Sequence, residues 1–141
     1  MGWADRISSY IPTDQMVSAV GQGAIGIEIR EDDEFMADVM DKIGDGPTML
    51  CVTAERVVMR KLEGGCQVPI GAYAALDGET MHMDAVVGSV AGDRILRHHL
   101  EGPADKGVEL GEAMVAALLE MGADEFLSEI RAQSVDSLLE T

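Results

Sequence analysis

VPIGAYAALDGETMHMDAVV, residues 68–87, alternates apolar and other side chains on both sides of an Asp77-Gly78 pair. Val68, Ile70, Ala72, Ala74 and Leu76 share one face of a first strand. Met81, Met83, Ala85 and Val87 share one face of a second. A period of two marks a half-buried strand, and Asp-Gly between two such runs marks a hairpin. A second turn at Ala91-Gly92-Asp93 predicts a third strand near residues 94–101.

The period changes on either side of these strands. Upstream, Pro47 suits the first turn of a helix. Leu50, Cys51, Ala54, Val57, Val58 and Leu62 line one side of it, while Thr53, Arg56 and Arg60 face away. Downstream, Asp105 starts a long helix in which Leu110, Met114, Ala117, Leu118 and Met121 recur at helical spacing and Gly122 ends the run. Phe126, Leu127 and Ile130 suggest a last short helix. Helix, three antiparallel strands and two helices predict an α+β fold, with helices packed on one face of a small three-stranded antiparallel sheet.

The first 46 residues read differently. Residues 4–10 suit a short helical turn ended by Pro12. Ile25, Ile27 and Ile29 alternate with Gly26, Glu28 and Arg30, which predicts a strand entered through the glycine-rich turn Gly21-Gln22-Gly23. Asp32 and Asp33 then open a helix with Phe35, Met36, Val39, Met40 and Ile43 as its apolar stripe, stopped by Gly44. A lone strand has unpaired edges, so this strand-helix segment is expected to belong to an α/β domain outside the chain. Gly44-Asp45-Gly46-Pro47 is the expected linker.

Composition narrows the function classes. The chain has 141 residues and a net charge of −16. Such a field repels phosphate backbones and acidic headgroups, so neither nucleic acid nor membrane is an expected partner. No run approaches the roughly 18 apolar residues of a membrane span. Cys51 and Cys66 are the only two cysteines, too widely spaced for a CxxC site and too few for a disulfide framework. A reducing cytoplasm is the expected location.

The chemistry concentrates at Leu62-Glu63-Gly64-Gly65-Cys66-Gln67-Val68-Pro69-Ile70-Gly71. Glycines let a large group approach the sulfur, and a thiolate is a strong, soft nucleophile. Arg56, Arg60 and Lys61 precede it, and cations there suit a thiolate or carboxylates. A small buried cysteine in a tight loop reads equally well from these features alone. His82 and Asp84 share a strand face, but a zinc site needs more partners. No metal is expected, and His98 and His99 are read as surface or packing residues.

Thr53-Ala54-Glu55-Arg56, followed by Leu62 through Gly71, resembles the cofactor-attachment signature of hydroxymethylbilane synthases, also called porphobilinogen deaminases. Ala19 through Glu28 is similar to another segment of that family. Val87-Gly88-Ser89 with Gly92, and Leu110-Gly111-Glu112 with Gly122-Ala123-Asp124, follow in order. Ser18 stands where proline is frequent and Cys51 where arginine is, but the core signature is intact.

The resemblance implies an enzyme of tetrapyrrole and haem biosynthesis. It joins four porphobilinogen units, losing ammonia at each step, to give hydroxymethylbilane. Cys66 would anchor a dipyrromethane cofactor through a thioether, with Gln22, Gly23, Gly64 and Gly65 beside it. The thioether persists through each cycle, so Cys66 is an anchor and not a turnover nucleophile. Residues 1–14 would end the second domain, 15–46 would return to the first, and 47–141 would form the cofactor-attachment domain. The carboxylate-binding arginines and the catalytic aspartate are expected outside this chain, in preceding domains of a longer enzyme. Met1 is then expected to be an internal methionine. With ten Lys and Arg against 26 acids, the isolated chain is expected to be inactive. Its uncovered apolar surface is expected to favour self-association. A non-catalytic pyrrole-binding fragment and a structural or thiol-redox domain with a free thiol are the competing readings.

Overall fold

A computed structural model describes residues 2–62 and 68–129. Helix α1 spans Glu34–Ile43 and α2 spans Gly46–Lys61. Strands β1 (Ile70–Asp77), β2 (Thr80–Gly88) and β3 (Ile95–Pro103) follow, then α3 (Gly107–Glu120) and a short helix α4 over residues 123–129. Single 3-10 turns occupy Ala4–Arg6 and Ala104–Lys106.

The sheet is an antiparallel meander in the order β1-β2-β3. Asp77 pairs with Thr80, so Gly78 and Glu79 make the two-residue hairpin turn. Ala72 and Ala74 of β1 and Met81, Met83, Ala85 and Val87 of β2 face the helices and are buried. That is the face which period-two alternation predicts. Helix α2 lies on β1, α3 lies mainly on β3, and the two helices pack on each other. Ala54, Val58 and Leu62 meet Leu110, Met114 and Leu118 there, and α4 closes the core with Phe126 and Leu127. Met83 on β2 lies opposite Ala74 on β1 and Met81 opposite Leu76, and the long methionines fill the layer. The predicted α+β fold, with its helices on one sheet face, is observed.

Caps fix the helix starts. Asp33 accepts a hydrogen bond from Met36 N at 3.0 Å, and Asp45 accepts one from Thr48 N at 2.8 Å with Pro47 in the first turn. The β2–β3 turn is closed by Ser89, whose hydroxyl donates to Asp93 at 2.6 Å and accepts from Arg94 N at 3.1 Å. That bond from Ser89 holds the Asp93 carboxyl below its ordinary range.

The strand predicted at Ile25–Ile29 does not form. Residues 24–30 are irregular, and Ile25 is 90% exposed. A strand exists by its ladder, and among the described residues no neighbour supplies one. The following helix does form, yet its stripe is only partly covered: Phe35 and Ile43 are exposed, Met36, Val39 and Met40 are half-buried, and α1 buries no residue fully. No described helix is long and apolar enough to cross a membrane.

Candidate functional site

Residues 13–24 are held against the α+β body from two sides. On the sheet face away from the helices, Arg97 of β3 donates to the carbonyls of Thr13, at 3.0 Å, and Asp14. The chain then passes so close to β1 that a Cβ at Gly71 would sit 2.9 Å from the Ser18 carbonyl oxygen. Only a residue without a side chain fits there. Val20 packs against the core.

The segment then turns. Gln22 N donates to Ala19 O at 3.0 Å, and Ala24 N donates to Gly21 O at 3.1 Å. Gly21 and Gly23 have φ of 70° and 89°, left-handed angles that glycine adopts at little cost. The Gln22 side chain tightens the same turn, its Oε1 accepting from Ala19 N at 3.1 Å.

Glu55 on α2 ties these pieces together. It is 5% exposed. One carboxyl oxygen accepts from Gly21 N at 2.7 Å, and the other accepts from Ala74 N at 2.9 Å. Ala74 lies on β1, whose far edge has no strand beside it among the described residues. Glu55 therefore satisfies a buried N–H on an unpaired strand edge while fixing the glycine turn. The clue was in the sequence, because Cys51, Glu55, Val58 and Leu62 recur at helical spacing and put an acid within the apolar stripe of α2.

Of the site residues expected from sequence, Cys66, Gly64 and Gly65 lie outside the described residues. Gln22 and Gly23 are exposed on the turn. That turn touches α2 through Glu55 and reaches β1 through Ser18 and Gly71. These are the two elements that flank residues 63–67, with Leu62 buried on one side and β1 starting at Ile70 on the other. Arg56 and Arg60 are exposed one turn apart, with Arg60 Nε donating to the Arg56 carbonyl at 3.2 Å. Lys61 pairs with Glu112 of α3 at 2.9 Å. Cys51 is half-buried, and burial, then the nearby Glu55 charge, push its thiol pKa up. A thiol so held is a poor nucleophile at neutral pH.

Residues 49–120 match the family described as "Porphobilinogen deaminase, C-terminal domain". The chain belongs to the porphobilinogen deaminase family. Residues 1–38 match a second description of the same enzyme, "Porphobilinogen deaminase, dipyromethane cofactor binding domain". The porphobilinogen deaminase of Desulforudis audaxviator is 42% identical over 132 residues, covering 94% of this chain and 43% of that protein. That of Chlorobium limicola is 45% identical over 136 residues, covering 93% of this chain and 43% of that protein. The Chlorobaculum tepidum protein is 42% identical over 132 residues, with 92% and 42% covered. The chain thus spans about two fifths of the length of these porphobilinogen deaminases. The resemblance read from the residues around Cys66 is confirmed at the level of the family.

Proposed function

We propose that this chain is the cofactor-carrying part of a hydroxymethylbilane synthase, which condenses four porphobilinogen units into hydroxymethylbilane with loss of ammonia. It works with further α/β domains of the same enzyme in the reducing cytoplasm, where neither cysteine is drawn into a disulfide. Residues 1–14 complete the second of those domains and residues 15–46 return to the first. Residues 47–141 form the attachment domain. The domains outside this chain cover Ile25, Ile27 and the open face of α1, and they supply the catalytic aspartate. Without them the chain is inactive, and its uncovered apolar surface promotes self-association.

Cys66 anchors the dipyrromethane through a carbon–sulfur bond that persists through turnover. The donor set suits that attachment. Cys51, the only other sulfur nucleophile, is disfavoured by the burial and charge that keep it protonated. Arg56 and Arg60, exposed near the end of α2, offer guanidinium groups to the cofactor's carboxylates. When bound, the dipyrromethane supplies the pyrrole carbon to which each new unit is joined. Gly64 and Gly65 leave room beside the sulfur, and Gln22 and Gly23 offer polar and backbone contact. Glu55 is a positioning residue that holds the turn carrying Gln22 on α2 and β1.

The observation that carries this reading is the packing of the Gly21–Gly23 turn onto the two elements flanking Cys66, in a chain of this family. Intact mass and peptide mapping of the full-length enzyme test it. A dipyrrole adduct on the Cys66 peptide, coloured by Ehrlich's reagent, is expected. Cys66→Ser abolishes the adduct and the bilane product together. An active enzyme with an unmodified Cys66 peptide overturns the reading.

A further inference from the structure

The sheet face away from the helices carries a cluster that the cofactor reading does not use. In the β2–β3 register His82 lies opposite Glu101 and Asp84 lies opposite His99. His82 Nδ1 is 3.1 Å from Glu101 Oε1, and His99 Nε2 is 3.3 Å from that same oxygen. All three ligand atoms lie within 4.8 Å of one another. His99 Nδ1 is 3.2 Å from Asp84 Oδ2, while Asp84 Oδ1 is held by Arg97 at 3.0 Å.

We infer that His82, His99 and Glu101 form a surface site for a divalent transition metal, best suited to zinc, with Asp84 as the carboxylate that orients His99. Zinc–nitrogen and zinc–oxygen bonds of about 2.0–2.1 Å put neighbouring ligands of a tetrahedron roughly 3.3 Å apart. The two contacts to Glu101 already have that spacing, and the ring nitrogens of His82 and His99, within 4.8 Å of each other, close the site by ring rotation. Asp84 accepting from Nδ1–H leaves the Nε2 lone pair of His99 aimed at Glu101, the usual arrangement of a metal-bound histidine. Lone pairs on two ring nitrogens and a carboxylate oxygen then converge. A proton serves one pair of them, whereas a single metal ion serves all three. Two imidazoles and a carboxylate suit zinc, and they leave the fourth position to water or a small anion. The site faces solvent, with His99 and Glu101 side chains 46% and 57% exposed, so an ion can enter without opening the fold.

Titrating the full chain with Co2+ and Zn2+ tests the site. One equivalent of Co2+ should give the visible bands of four-coordinate cobalt without a thiolate charge-transfer band, and Zn2+ should displace it. His82→Gln and His99→Gln each abolish saturable binding, and Asp84→Asn weakens it by about 10- to 100-fold. All three side chains are on the sheet face away from the helices, outside the apolar core, and circular dichroism checks that the variants fold. Absence of saturable binding overturns the inference. So does binding that survives the His82→Gln/His99→Gln double variant, or that shows thiolate ligation.

Discussion

Replacing Glu55 by glutamine isolates the contact that joins the glycine turn to the α+β body. Two backbone N–H groups, Gly21 and Ala74, each donate to a separate oxygen of this side chain, which is 5% exposed. Glutamine has nearly the same shape but only one acceptor oxygen, and its amide nitrogen is a donor. Whichever way the amide turns, one N–H meets another. Leaving a buried donor unsatisfied costs roughly 1–3 kcal/mol. For a chain of this size each kcal/mol shifts the melting temperature by roughly 3–5 °C, so Glu55→Gln should lower Tm by roughly 3–15 °C. The amide oxygen should stay with Ala74, the more deeply buried donor, and release Gly21. Hydrogen exchange then separates the two: Gly21 N–H exchanges faster, while Ala74 N–H keeps its protection relative to the global unfolding limit. Glu55→Ala removes both acceptors and should cost about twice as much. The reasoning fails if Glu55→Gln leaves both the Tm and the exchange of Gly21 unchanged.

Gly111 and Asp45 give two further tests. A Cβ at Gly111 would lie 2.8 Å from the Ala54 carbonyl oxygen and 2.9 Å from Val57 Cβ, at the crossing of α2 and α3. Overpacking of about 1–3 kcal/mol should outweigh the roughly 1 kcal/mol that alanine gains as a helix former, so Gly111→Ala lowers the urea midpoint, and a higher midpoint would contradict the packing. The Asp45 carboxyl is held below its ordinary pKa by its hydrogen bonds to Thr48. Its stabilising effect on α2 is therefore complete above the unfolded value of about 4 and is lost as pH falls through the lowered folded value. Asp45→Asn keeps an N-cap without that titration, so stability curves of the two proteins should diverge only in acid, and parallel curves below that pH would refute the cap's role.

The sheet was legible because its signal is local. Alternation over residues 68–87 with Asp77-Gly78 between the runs leaves one sensible register, since a one-residue slip would turn Met81, Met83 and Ala85 to solvent. The buried stripes of α2 and α3 were legible for the same reason. The strand at Ile25–Ile29 was misread, because alternation records a face that suits burial and cannot supply a partner. Phe35 and Ile43 repeat the lesson on α1: the pattern forms the helix, and these two apolar side chains stay exposed.

The candidate site divides along the same line. Membership of the porphobilinogen deaminase family was readable from the order of residues alone, and the proposal at Cys66 rests on that order, since residues 63–67 lie outside the described ones. Glu55 was visible only as an acid out of place in an apolar stripe. Its partners Gly21 and Ala74 lie 34 and 19 positions away, and no periodicity links such distances. His82 and Asp84 share a strand face, and a single strand shows no further ligand beside them, so no metal is expected there from sequence; His99 and Glu101 join them only through the β2–β3 register.

By itself the sequence determined the three strands of the sheet, the helices on either side of them and the faces these elements bury, since these follow from neighbours along the chain. Tertiary structure alone decided which distant groups meet: the cross-strand register that faces His82 with Glu101 and Asp84 with His99, and the burial that aims Glu55 at two backbone amides. The physical reason is that contacts across the longer β2–β3 connection and between layers depend on how the elements pack, which the alternation along a single strand or helix does not record.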